Sequence, residues 1–119
     1  MERPDSLAAQ QTRTVSTRHS IIVTTYSKAK TGARIVDALL AARLAACVQV
    51  VPVTSVYRWK GKISRDREKL MLIKAKSRDF EAIKGTILKL HDYEVPEIIS
   101  VRIEKGFKGY LDWMDNVTR

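Results

Sequence analysis

The sequence predicts an α+β fold: one antiparallel sheet with two helices on a single face and a third helix at the end of the chain. Three observations lead there. Runs of β-branched residues alternate with runs of helical periodicity in the order β-α-β-β-α-β. The two central β runs are joined by Lys60-Gly61, a turn signal that makes them a hairpin. The length, 119 residues, fits one domain.

SIIVTTY, at 20–26, is a short β-branched run and reads as a buried strand. After polar SKAKTG, the stretch ARIVDALLAARLAA at 33–46 places Ile35, Leu39, Ala42 and Ala46 at helical spacing, with Val36, Leu40 and Leu44 alongside. Alanine and leucine, both strong helix formers, dominate it. CVQVVPVTSVYRWK at 47–60 is β-rich. Pro52 inside it calls for an edge position or a bulge, and Val53, Ser55, Tyr57 and Trp59 share one face. ISRDREKLMLIKAK at 63–76 returns as the second arm of the hairpin, polar first and apolar after Leu70.

SRDFEAIKGTILKL at 77–90 is the second helix, with Ser77 as N-cap and Asp79 and Glu81 in the first turn, where the helix dipole favours acids. Phe80, Ile83, Ile87 and Leu90 form its apolar stripe. EIISVRI at 97–103 is a strand with Ile99, Val101 and Ile103 on one face, and GFKGYLDWMDNV at 106–117 is a short helix with Tyr110, Trp113, Met114 and Val117 along one side. The order is the split-βαβ, ferredoxin-like one. Two helices cannot cover both faces of such a sheet, and the hairpin has more apolar surface than a four-stranded monomer uses. Both features predict self-association through the sheet.

Composition narrows the function classes. The formal charge is +9, which permits anionic partners without requiring them. No apolar run approaches the roughly 18 residues of a membrane span, so no membrane partner is expected. The single cysteine, Cys47, excludes an intrachain disulfide and suits a reducing, cytoplasmic compartment. Residues 1–18 are polar with scattered charges and are expected to be a disordered tail without an export signal, leaving 19–119 as the folded domain.

IIVTTY at 21–26, LAACVQVVPVTSVYRWKGKI at 44–63, LMLIKAK at 70–76, HDYEVPEI at 91–98 and YLDW at 110–113 together resemble the CutA family of divalent-cation tolerance proteins. The resemblance runs from about Ile21 to Val117. It implies a ferredoxin-like subunit, a homotrimer with the sheets packed inside, and a link to copper and other divalent metals. In architecture it also resembles the trimeric nitrogen-regulatory P-II proteins, which bind small ligands in clefts between subunits. It implies no enzymatic activity. Two positions depart from the family pattern. Asp92 stands where proline usually follows the histidine, adding an oxygen donor. Thr24 stands where some bacterial members have a cysteine, which removes a soft ligand for copper(I).

The candidate site residues follow. His91 and Glu97, six apart across Pro96, offer an imidazole and a carboxylate to copper or another divalent ion, with Asp92 and Cys47 as weaker candidates. The structural alternative has His91 capping the second helix, Glu97 bonding to a lysine or tyrosine, and Cys47 acting as a small apolar residue. Tyr57, Trp59, Tyr93, Tyr110 and Trp113 supply either interface packing or the walls of a ligand cleft, with Lys74 and Arg58 providing charge for an anionic group. Nucleic acid is not an expected partner, because LMLIKAK offers no aromatic platform for bases. No Ser-His-Asp or Cys-His arrangement, HExxH, phosphate loop or CxxC stands in the sequence. The expected function is a trimeric metal-tolerance protein. The alternative is a P-II-like module sensing a small anion and passing a signal to a protein partner that the sequence does not name.

Overall fold

The computed structural model describes residues 18–119, so the expectation of a disordered tail lies, Arg18 apart, outside the described residues. The strands are β1 (His19–Tyr26), β2 (Ala45–Trp59), β3 (Lys62–Lys76) and β4 (Ile99–Arg102), and the helices are α1 (Ala29–Ala41), α2 (Phe80–Leu90) and α3 (Lys108–Val117). The sheet runs β2-β3-β1-β4, and each neighbouring pair is antiparallel. This is the ferredoxin-like order that the sequence predicts. Pro52 lies in β2, an edge strand of this sheet, where its missing N–H costs no ladder bond to an outer neighbour.

Strand alternation builds the core. Ile22 on β1 and Met71 and Ile73 on β3 turn to the same face as the helices and meet Ile35 and Leu39 of α1 and Ile83 and Ile87 of α2, all fully buried. Each such side chain stabilises the fold by about 1.5–3 kcal/mol. Their neighbours Ile21, Val23, Leu70 and Leu72 turn the other way. The hairpin outruns this core: β1 pairs with β3 only as far as Tyr26 opposite Lys69, whereas β2 and β3 stay paired out to Trp59 and Lys62. The connecting residues Lys60 and Gly61 both have positive φ, 51° and 76°, the backbone of a two-residue hairpin turn that follows the strand twist.

Four expectations need correction. Helix α1 occupies Ala29–Ala41 rather than 33–46, so AKTG forms its first turn after Lys28 as N-cap; Ala42 is its C-cap and Ala46 belongs to β2. Leaving the helix takes Arg43 to a φ of 57°. Ser77 caps no helix. It opens a 3-10 turn, and its hydroxyl bonds that of Ser20 at 2.6 Å, tying the turn to β1. β4 is shorter than predicted and ends at Arg102; Ile103 lies beyond it but still donates its N–H to the His19 carbonyl at 3.0 Å. Helix α3 buries Leu111 and Met114, while Tyr110 and Trp113 stay exposed. It lies on the face opposite α1 and α2, held by a 2.8 Å contact between His19 Nε2 and Asp115 and by Lys74 Nζ 5.3 Å from the Tyr110 ring centre.

Candidate functional site

The segment between α2 and β4 closes over one end of the sheet. Its anchor is His91, whose side chain is only 1% exposed. The backbone N–H of Tyr93 donates to Nδ1 at 3.1 Å, so Nδ1 must be unprotonated and Nε2 carries the hydrogen that reaches the Thr25 carbonyl at 2.7 Å. Both ring nitrogens are therefore occupied. The ring pins the loop to β1 and does not bond the carbonyls of the second helix, as the capping alternative had it; only the His91 backbone N–H reaches that helix, at the Ile87 carbonyl.

The pinned loop and the hairpin enclose a cleft of about 720 Å³. Tyr93 lines it and bridges the loop to the hairpin. Its hydroxyl donates to Glu68 at 2.5 Å and accepts from Ser27. Burial first, then the Glu68 carboxylate, push the phenol up to about 12. On the hairpin wall Tyr57 donates to Asp66, and that bond, more than burial, raises its pKa. Trp59 lies farther along the same wall, with Lys60 Nζ 5.7 Å from its ring centre.

Five carboxylates line the cleft: Asp66, Glu68, Asp92, Glu94 and Glu97; the lining contains no lysine or arginine. In a chain with 13 acids and 22 basic residues, that segregation decides the sign of the site. It follows from strand alternation. Across the hairpin, Ser55 faces Asp66 on the cleft side and Glu68 follows two residues on, whereas Thr54 faces Arg67 on the other. The 91–97 loop supplies the remaining acids. Partial burial works to raise Asp92, but its backbone hydrogen bond and Lys28, 3.5 Å away, outweigh it and hold the carboxyl below its ordinary value.

The structure divides the predicted site residues. Glu97, Asp92, Tyr93, Tyr57 and Trp59 all line the cleft. Glu97 is exposed, and no hydrogen bond or ion pair ties it to another described residue. Lys74 and Trp113 do not line it; Lys74 covers Tyr110 on α3, the ring that stacks at 5.5 Å with Trp113. Cys47 is a partly exposed free thiol opposite Lys74 on β3. It lies eight residues before Ser55, about 27 Å along the strand. Among the described residues no three His, Cys, Asp or Glu side chains converge tightly enough to hold a metal ion. Asp66 and Glu68 are the charged lining residues that the sequence reading did not assign to the site. The turn at Lys60-Gly61 held the signal, because a two-residue loop fixes the register that brings Asp66 and Glu68 to the face of Tyr57 and Trp59.

Comparison with known proteins gives a consistent result. The family described as CutA1 divalent ion tolerance protein matches residues 20–117. The chain is similar to the divalent-cation tolerance protein CutA of Thermus thermophilus, at 40% identity over 79% of this chain and 92% of that one. It is similar to the chloroplastic CutA 1 protein of rice, at 37% identity over 96% of this chain and 66% of that one. It spans about half the length of the mouse and human CutA proteins it matches. Among solved structures, the periplasmic divalent cation tolerance protein CutA of Archaeoglobus fulgidus superposes with a TM-score of 0.82 at 35% identity, covering 85% of this chain and 99% of that one.

Proposed function

We propose, from the premise that the chain belongs to the CutA1 divalent ion tolerance family, that it is a homotrimer binding divalent cations weakly through the carboxylates of its cleft. The observation that carries this function is the lining itself, five acids without a basic side chain in a basic protein. Glu97, Glu94 and Asp92 are the donors on the loop, and His91 holds that loop in place rather than binding the ion. Without three converging donors in one chain, a bound ion keeps much of its water or shares donors with a second copy. Copper(II) binds most tightly, because it outranks the other first-row divalent ions at a given nitrogen, oxygen or sulfur site. A cytoplasmic location, supported by the free thiol of Cys47, and a non-enzymatic role, supported by a family name that denotes tolerance rather than a reaction, belong to the same proposal.

The alternative, an anionic ligand sensed in the P-II manner, meets the wrong charge in this cleft. Calorimetric titration of the full chain with copper(II), zinc, magnesium and a set of nucleotides separates the two. Copper is expected to bind tightest and nucleotides to give no heat. Affinity should hold through the histidine range and fall only as the carboxylates protonate, near pH 4–5. Nucleotide binding without cation binding would reverse the choice.

A further inference from the structure

The hairpin sorts its charges by face. Arg65, Arg67 and Lys69 continue, at every second residue, the side of β3 that carries Met71 and Ile73 toward the helices. Arg58 on β2, opposite Ile63, shares that side. The strand partners of these four cations, Val56, Thr54, Pro52 and Ile63, include no acid. All four are exposed, and among the described residues none of their side chains makes an ion pair or a hydrogen bond. A surface that serves solubility alone intersperses the two signs. Here three like charges stand roughly 7 Å apart along one strand, where they repel one another. An anion laid along the row replaces that repulsion with attraction.

Length and spacing say what kind of anion fits. From Arg65 to Lys69 the row runs about 14 Å, more than a single carboxylate or phosphate spans. An extended peptide carries its own alternate side chains on one face at the same step, so acids at every second residue meet the three cations in turn. At the root of the row lies a hollow of about 310 Å³ bordered by Pro52, Thr54, Arg67 and Lys69. One carboxylate can meet two cations and a hydroxyl there. Glu68 also borders the hollow, but its carboxylate is tied to Tyr93. Neither the row nor its strand partners include an aromatic ring on which a nucleic-acid base could stack. The row lies on the helix side of the ribbon, away from the side of Val23, Leu70 and Leu72, so copies joined through the apolar side leave it facing outward.

We infer that the helix side of the hairpin is a docking surface for an extended acidic segment of a partner protein, with carboxylates at alternate positions meeting Arg65, Arg67 and Lys69. The surface is the reverse of the hairpin face that lines the carboxylate cleft and does not depend on the divalent-cation proposal.

The test titrates the full chain into a dye-labelled peptide with glutamate at every second position and serine between, read by fluorescence anisotropy. A peptide of the same composition with its glutamates in one block and a labelled thymidine oligonucleotide run alongside. Saturable binding of the alternating peptide is expected, several-fold tighter than that of the block peptide and weakened by added salt. Arg67→Glu should weaken it about tenfold or more, since it puts a like charge against the peptide. Arg65→Glu, at another exposed and unpaired position, gives the same reading if Arg67→Glu fails to fold. Lys89→Glu makes an equal change of net charge on α2 and should leave binding within about twofold, as a distant, screened charge does. Absent peptide binding overturns the surface. So does an equal loss in Lys89→Glu and Arg67→Glu, which would reduce the effect to net charge. Equal binding of the alternating and block peptides overturns the extended register. Tighter binding of the oligonucleotide than of either peptide makes the partner a nucleic acid and overturns the assignment to a protein.

Discussion

His91 illustrates how a single side chain changes role between sequence and structure. Beside Asp92 and Glu97 it has the composition of a metal ligand, and composition carries no information about where the lone pairs point. The fold spends both ring nitrogens on the backbone of Thr25 and Tyr93. His91→Ala should therefore act on stability, leaving two largely buried backbone groups short of a partner and costing about 2–3 kcal/mol, measurable by urea unfolding. Glu97→Gln, at an exposed position, should stay within about 0.5 kcal/mol. Tyr93 provides a second check. Its phenol is pushed up to about 12, first by burial and then by the carboxylate it serves. The unfolded chain ionises near 10, so between those values the native state holds the extra proton and stability falls as pH rises. Ultraviolet titration of the folded protein should show a late tyrosine that Glu68→Gln moves to lower pH. The loop half of the site was legible because its residues are adjacent in sequence. The hairpin half depends on register, and Asp66 and Glu68 look like ordinary solubilising charges until the strands are paired.

At the level of elements, periodicity located every strand and helix but misjudged edges and faces. Helix α1 begins early because its first turns pack through Thr31 and Gly32, which no apolar pattern announces; a Cβ on Gly32 would stand 2.2 Å from the Tyr26 ring. Helix α3 was assigned its aromatic face because large rings look like core. Met114, part of that face, is buried as expected, but Leu111 joins it against the sheet while Tyr110 and Trp113 stay outside. The Lys60-Gly61 turn, by contrast, was readable from two residues. Nothing lies within 4 Å of a Cβ placed on Gly61, so any cost of Gly61→Ala is conformational. With φ at 76° that cost should be about 1 kcal/mol. Lys60→Asn, which tolerates positive φ better, should raise the melting temperature slightly. Calorimetric melting of the two variants should show opposite shifts, and a shared sign would mean that the turn geometry is wrong.

The whole molecule is too long for its own core. Its radius of gyration is 16.6 Å and its extents are 57 × 28 × 22 Å, where a compact chain of this size would have a radius of about 13 Å. The excess is the hairpin, which beyond Pro52 and Lys69 has no third strand beside it. An isolated two-stranded ribbon is marginal in water, so its persistence calls for support from outside the chain. The part of the sheet face opposite α1 and α2 that α3 leaves uncovered offers the contact. Ile99 pairs with Val23 and Val23 with Leu72, Val101 pairs with Ile21, and Val51 pairs with Leu70, giving apolar side chains across all four strands. Ile99 and Val101 are more than half exposed and Val51 is 41% exposed. Joining copies through this face would cover those side chains and brace each hairpin, and a closed ring would leave no copy with an open face. Ile99→Asp and Val101→Asp discriminate well because both positions are solvated in the single chain. If the face is an interface, each variant should lose the three-chain mass by light scattering while keeping the circular dichroism of the folded subunit. If the wild type runs as a monodisperse monomer down to low micromolar concentration, the sheet face is simply exposed and the trimer is wrong.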